Sequence, residues 1–71
     1  MNLRYYLFRE VYDASRESVI ERTLLARFYQ VHDIKIACAA LRAHYNGNEV
    51  VDFIYVEQQT AIKVYKMRKD F

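Results

Sequence analysis

The chain has 71 residues, of which 54% are apolar, and it contains one glycine and no proline. A chain of this length has apolar surface for one small core, so we expect residues 1–71 to form a single domain. The composition excludes a disordered segment, which would be poor in aromatic and β-branched residues. The net charge of +2 is too small to attract nucleic acid over the whole surface. No apolar run approaches the roughly 20 residues that cross a bilayer, which excludes a membrane protein.

The single cysteine, Cys38, excludes a disulfide within the chain. A signal peptide would need a charged region followed by an apolar run, and the first residues lack that pattern. We therefore expect a protein of the reducing cytoplasm. Because so short a chain buries only roughly 60% of its unfolded surface, a homodimer or a complex with a partner would add needed stability.

The stretch LRYYLFREVY, residues 3–12, has the aromatic and β-branched residues of a strand. Side chains of a strand alternate between its two faces, and here both faces are apolar. One face holds Leu3, Tyr5, Leu7 and Val11, and the other holds Tyr6, Phe8 and Tyr12. We expect this strand to lie inside a sheet, with one face against a helix and the other displaying its rings to solvent or to a partner.

Residues 15–29 fit two interpretations. A strand that starts near Val19 separates the apolar residues from the polar ones, with Ile20, Leu24, Ala26 and Phe28 opposite Glu21, Thr23 and Arg27. Ile20, Leu24 and Phe28 are also spaced as on one side of a helix, which Ser15 would cap. We prefer the strand, and the helix would give the alternative order β-α-α-β-β.

The clearest predicted element is a helix that begins at Asp33. Its core face is formed by apolar residues at helical spacing, namely Ile34, Ala37, Cys38, Leu41 and Tyr45. Asp33 can act as N-cap, and Asn46 and Gly47 tolerate the left-handed conformation that ends a helix.

The stretch EVVDFIYVEQQTAIKVYKMR, residues 49–68, predicts a hairpin whose two strands are separated where the apolar content drops, at residues 57–60. On the last strand, Ile62 and Val64 would face the helix, while Lys63 and Tyr65 face the other side. Its lysines would discourage unwanted pairing at a sheet edge. The predicted fold is therefore α+β, a single four-stranded, mostly antiparallel sheet with one helix on one face, in the order β-β-α-β-β.

Signals for catalysis are poor. Cys38 lies on the core face of the helix, six residues from each of His32 and His44, and no nucleophile or metalloprotease motif accompanies it. Two isolated histidines without paired cysteines lack the spacing of a zinc site. We expect Asp52 on the wet side of its strand or paired with a cation such as Lys63. The sequence thus predicts no enzyme, no metal and no cofactor.

Seven tyrosines and four phenylalanines are the unusual part of the composition. One short helix cannot cover all of these rings, and tyrosine and arginine are enriched in protein interfaces. We therefore expect a protein partner, with packing in the core or in a homodimer as the alternative. The expected contact residues lie on one sheet face and on the basic end of the chain: Tyr6, Phe8, Tyr12, Lys63, Tyr65, Lys66, Arg68 and Lys69.

Nucleic-acid binding is the second hypothesis. The C-terminal cations could contact phosphates, and exposed rings could stack on bases. Carboxylates interspersed with the first and third strands, such as Glu10 and Asp52, would repel phosphate. A protein partner is therefore preferred.

The strand YYLFREVYD, a polar loop, the segment RTLLARF, a capped helix and a terminal hairpin together resemble the small β-β-α-β-β proteins of bacteriophages. Anti-CRISPR inhibitors are the best-known of these. The resemblance spans most of the chain but concerns only element order and the pattern of the first strand, so it implies no site residues. It implies a non-enzymatic inhibitor in the host cytoplasm that docks on a host defence or nucleic-acid-processing protein, sometimes by imitating or competing with DNA.

Overall fold

The computed structural model describes residues 4–66, which form an α+β domain with three strands and two helices. The elements in chain order are β1 (Tyr5–Tyr12), β2 (Val19–Phe28), α1 (Val31–His44), β3 (Val51–Glu57) and α2 (Gln58–Tyr65). The strands form one antiparallel sheet in the order β2-β1-β3. The α+β class and the antiparallel sheet are confirmed, and β1 lies in the centre as its two apolar faces predict.

The segment that allowed two interpretations is a strand, β2, and the helical alternative is wrong. The regular alternation of apolar and polar side chains that we predicted for this strand is also wrong, because β2 contains two bulges. Ile20 and Leu25 are extra residues without a partner on β1. The bulge at Leu25 moves Leu24 to the opposite face from Phe28, so Leu24 packs with Tyr6 and Phe8 while Phe28 packs with Leu7.

The loop between β1 and β2 is organised by the carboxylate of Asp13. Its oxygens accept hydrogen bonds from the hydroxyls of Ser15, at 2.9 Å, and Ser18, at 3.0 Å, and from the backbone N–H of Glu17. The Ser15 and Ser18 hydroxyls, which favour the charged form, lower the pKa of Asp13. Arg16 has a positive φ of 62°, which reverses the chain within this loop.

The predicted first helix is confirmed as α1, although it begins at Val31 and has Gln30 as its N-cap. Asp33 lies in the first turn, where its negative charge is favourable near the helix N-terminus. Ile34 and Cys38 are buried against Leu7 and Phe53 and form the first core cluster. Thus α1 covers one face of the sheet.

The predicted fourth strand is not confirmed, because residues 58–65 form the helix α2. This helix follows β3 directly, and the backbone N–H of Gln58 donates to the carbonyl of Arg4 at 2.8 Å. Ala61 and Tyr65, four residues apart, both turn toward the sheet. Val64, predicted to face inward, is 62% exposed. Lys66 closes the helix in the left-handed conformation, with its N–H bonded to the carbonyl of Ala61.

The second core cluster lies between α2 and the sheet face that we expected to be open. Tyr6, Phe8 and Ala61 are at most 1% exposed. Partly buried apolar side chains surround them: Leu24, Ile54, Val56 and Tyr65. Ring edges of Tyr6 and Phe8 meet at a centroid distance of 6.3 Å, and those of Phe8 and Tyr65 at 5.5 Å. Both faces of β1 are therefore covered.

We predict that Phe8→Ala lowers the free energy of unfolding by about 3–5 kcal/mol, a large part of the stability of the domain. This is the usual cost of emptying a buried phenylalanine site, and a domain of this size has a free energy of unfolding of only roughly 4–10 kcal/mol. Urea unfolding followed by far-ultraviolet circular dichroism measures the change. Tyr29→Ala, at an exposed ring, should change the free energy by less than about 0.5 kcal/mol. Equal stability of the two variants would contradict the burial of Phe8 under α2.

Candidate functional site

The residues predicted to contact a partner do not form one exposed patch. Tyr6 and Phe8 are in the core, and Tyr12 and Tyr65 are half-buried. Lys63 and Lys66 are exposed on α2 and at its end. Arg68 and Lys69 lie outside the described residues. The aromatic half of the predicted surface therefore belongs mainly to the packing beneath α2.

Glu10, on the same strand as Tyr6 and Phe8, carries a buried carboxylate and is 3% exposed. Its Oε2 accepts a hydrogen bond from Arg22 Nε at 2.7 Å, and its Oε1 accepts one from the Tyr12 hydroxyl at 3.3 Å. The Arg22 guanidinium in turn lies 4.0 Å from the centroid of the Tyr65 ring. Burial, followed by the nearby Glu10 charge, raises the pKa of Tyr12. Both Glu10 oxygens have partners, so the cluster ties β1, β2 and α2 together.

Cys38 is enclosed in the first core cluster and is 2% exposed. Its Sγ donates to the carbonyl oxygen of Phe53 at 3.4 Å, and burial raises the pKa of the thiol. A nucleophilic cysteine needs the opposite environment, with access to solvent and a lowered pKa.

The carbonyl oxygen of Phe53 also accepts a hydrogen bond from Arg42 Nε at 2.9 Å. Arg42 also lies 3.4 Å from Asp52, which replaces the expected pairing with Lys63.

Residues 4–66 contain no cluster of three or more histidine, cysteine or acidic side chains that could bind a metal. Within the same range, neither helix is long and apolar enough to span a membrane.

The candidate binding surface is the outer edge of β2, which we define as the β2 edge surface. Within the described chain, β2 pairs only with β1, and both helices lie mainly over β1 and β3. An edge strand presents backbone N–H and C=O groups that another strand can bond. The bulge residues Ile20 and Leu25 are 66% and 43% exposed. Tyr29 follows the strand and is 62% exposed.

Two open grooves are lined by residues of the C-terminal half of β2. The larger, of about 640 Å³, is lined by residues Leu24 to Arg27. The smaller, of about 250 Å³, is lined by Arg4 and by Arg27 to Tyr29. Arg27 is common to both grooves, so together they follow the strand from Leu24 to Tyr29.

No family model, curated protein or solved structure matches the chain. The β2 edge surface therefore rests on geometry. The sequence analysis did not predict it, although the adjacent apolar pair Leu24 and Leu25 interrupts the alternation of β2 and could have indicated a bulge.

We predict that Arg22→Leu destabilises the protein by about 3 kcal/mol, because it leaves the buried Glu10 carboxylate without its cation. Adding Glu10→Leu should restore part of the loss, since the pair is then replaced by apolar side chains. Urea unfolding at pH 7 of both single variants and the double variant measures the coupling. A double variant less stable than Arg22→Leu would show that Glu10 does not depend on Arg22.

We predict that Cys38 reacts with an aromatic disulfide reagent at pH 8 at least about a hundredfold more slowly in the folded protein than in urea, because reaction requires opening of the core. The raised pKa also means that the protonated thiol contributes stability below its unfolded pKa, and this contribution is lost as the pH rises through the folded pKa. Rapid labelling of the folded protein would contradict the enclosure of Cys38, and a free energy of unfolding that does not fall as the pH rises above the unfolded pKa would contradict the second statement.

Proposed function

We propose that this chain is a non-enzymatic interaction protein and that its partner protein adds an extended segment along the β2 edge surface. The observation that carries the proposal is a ten-residue strand that, within residues 4–66, pairs on one side only, with Ile20 and Leu25 exposed on it and Tyr29 exposed directly after it. Strand addition uses main-chain hydrogen bonds for affinity and side-chain contacts for selectivity.

The bulges support a specific partner over indiscriminate pairing. A flat, regular edge would accept any extended chain and would promote aggregation. The bulge at Leu25 interrupts the ladder and increases the local twist. A partner segment must match that irregularity, and the exposed Leu25 side chain offers it an apolar contact.

The resemblance to small phage-encoded inhibitors supports the choice of partner in this proposal. The element order is β-β-α-β through β3, and α2 occupies the place where the last strand was expected. As part of the same proposal, the partner is a host defence or nucleic-acid-processing protein in the host cytoplasm. Exposed Lys63 and Lys66 could steer an acidic partner toward the domain.

We predict that Leu25→Asp abolishes partner binding, because it places a charge where the partner segment packs. The measurement is capture from an extract of the host cells with the full chain carrying an affinity tag. Val64→Asp is the matched control, since Val64 is at least as exposed but lies on α2. We expect at least about tenfold less partner with Leu25→Asp and an unchanged amount with Val64→Asp. Equal recovery with both variants, or no partner with the unchanged chain, would contradict the proposed function.

A further inference from the structure

We propose that a cleft at one end of the sheet binds a phosphate group, carried either by inorganic phosphate or by a small phosphate monoester. The cleft is formed by the loop after β1, the C-terminal end of α1, the turn that follows α1 and the start of β3. It uses no residue of the β2 edge surface and is therefore independent of the proposed function. Its volume is about 240 Å³, below the roughly 300 Å³ at which sites for drug-sized ligands begin, so it suits a small ligand.

Two arginines that are far apart in the sequence line this cleft, Arg16 from the loop after β1 and Arg42 from α1. Arg42 Nε donates a hydrogen bond to the carbonyl oxygen of Phe53 at 2.9 Å. Arg16 donates from Nη1 to the backbone carbonyl of Glu49, and its guanidinium lies 5.2 Å from the centroid of the Tyr12 ring. A guanidinium has five N–H donors, so each arginine is held in place and keeps donors for a ligand.

The charge of Arg16 is not neutralised within the described part of the chain. Across residues 4–66 its guanidinium forms no ion pair with a carboxylate, and its two partners, a carbonyl and a ring, are uncharged. The carboxylate of Asp13, in the same loop, accepts hydrogen bonds from the Ser15 and Ser18 hydroxyls and the Glu17 N–H instead. The positive charge of Arg16 can therefore attract an anion into the cleft.

Asp52 opposes an anion, and it is the one acid among the described residues that line the cleft. Its Oδ1 accepts a hydrogen bond from the backbone N–H of Phe53 at 2.8 Å and lies 3.4 Å from Arg42 Nε. Two guanidinium charges against one carboxylate leave the cleft with an excess of one positive charge. The balance of charge thus favours an anionic ligand.

The C-terminal end of α1 is the other group that could repel an anion, because the last carbonyls of a helix carry partial negative charge. Three carbonyls at this end accept hydrogen bonds from backbone N–H groups, in the pairs Tyr45 to Leu41, Asn46 to Ala43 and Asn48 to Tyr45. Asn48 Oδ1 accepts a hydrogen bond from the Val50 N–H at 3.1 Å, so its side-chain NH₂ stays as a donor in the cleft.

Phosphate fits these donors better than a carboxylate does. A carboxylate is planar and pairs with one guanidinium through two parallel hydrogen bonds. A phosphate monoester has three acceptor oxygens in a tetrahedral arrangement and carries about −1.5 to −2 charges at pH 7. Because Arg16 and Arg42 belong to separate elements, one tetrahedral group can accept hydrogen bonds from both.

The experiment titrates the isotope-labelled full chain at pH 7 and constant ionic strength with sodium phosphate, with glycerol 3-phosphate and with sodium acetate. Backbone amide signals and the arginine Nε–H signals are followed. With both phosphate ligands we expect saturable shifts at residues 45–53 and at the Nε–H signals of Arg16 and Arg42. Acetate should bind at least about fivefold more weakly, the effect of losing one good exposed ion pair. Whichever phosphate ligand binds more tightly identifies the source of the phosphate group.

Three variants test the residues. Arg16→Gln should weaken phosphate binding by at least about fivefold, and Lys35→Gln, the same charge change on the exposed side of α1, should leave it unchanged. Asp52→Asn should tighten phosphate binding by at least about threefold, because it removes the carboxylate that opposes an anion. A gain in affinity requires a folded protein, so a variant that fails to fold does not decide the outcome.

Several results would overturn the proposal: absence of saturable shifts at the cleft with either phosphate ligand, equal binding of acetate, unchanged binding by Arg16→Gln, or weaker binding by Asp52→Asn. The proposed function is tested separately by Leu25→Asp, which lies on the β2 edge surface and should not change the affinity for phosphate.

Discussion

A central strand that is apolar on both faces must be covered twice, and every other part of this domain is arranged around that requirement. α1 covers the face of β1 that carries Leu7, and α2 covers the face that carries Tyr6 and Phe8. Both helices lie mainly over β1 and β3. Within the described chain, β2 is consequently left with one edge open and with apolar side chains in solvent. The coverage of β1 thus determines which edge of the sheet the helices leave open.

The strands and the first helix could be predicted because periodicity and packing agree there. β1 and α1 show the spacing of the elements that they form, and the residues that the core buries most deeply, such as Leu7, Ile34 and Cys38, lie on the predicted apolar faces. The last element could not be predicted in this way. Apolar residues alternate over residues 61–65 as they do in a strand. The helix forms instead because it brings Ala61 and Tyr65 into contact with the rings of Tyr6 and Phe8. That contact is between residues far apart in sequence, which local pattern does not report.

The candidate site could be predicted only in part, because it too depends on contacts between residues far apart in the sequence. Aromatic residues beyond the capacity of one helix suggested an interface, but the second helix provides the missing cover. Local pattern does not distinguish the arginines of β2, whereas in the fold Arg22 pairs with a buried acid and Arg27 is among the residues that line both grooves. What distinguishes them is the residue opposite each on β1, because Arg22 lies opposite Glu10 and Arg27 lies opposite Tyr6.

The position of α2 behind β3 also has a consequence for synthesis in the cell. Tyr6 and Phe8 leave the ribosome well before Ala61 and Tyr65, which later enclose them. During translation, an apolar sheet face is therefore exposed while β1 and β2 are already able to pair. Exposed apolar surface of this kind favours aggregation and chaperone binding. The yield of folded protein is then sensitive to how quickly α2 docks after it emerges, a kinetic demand that a four-stranded sheet with an open face would not impose.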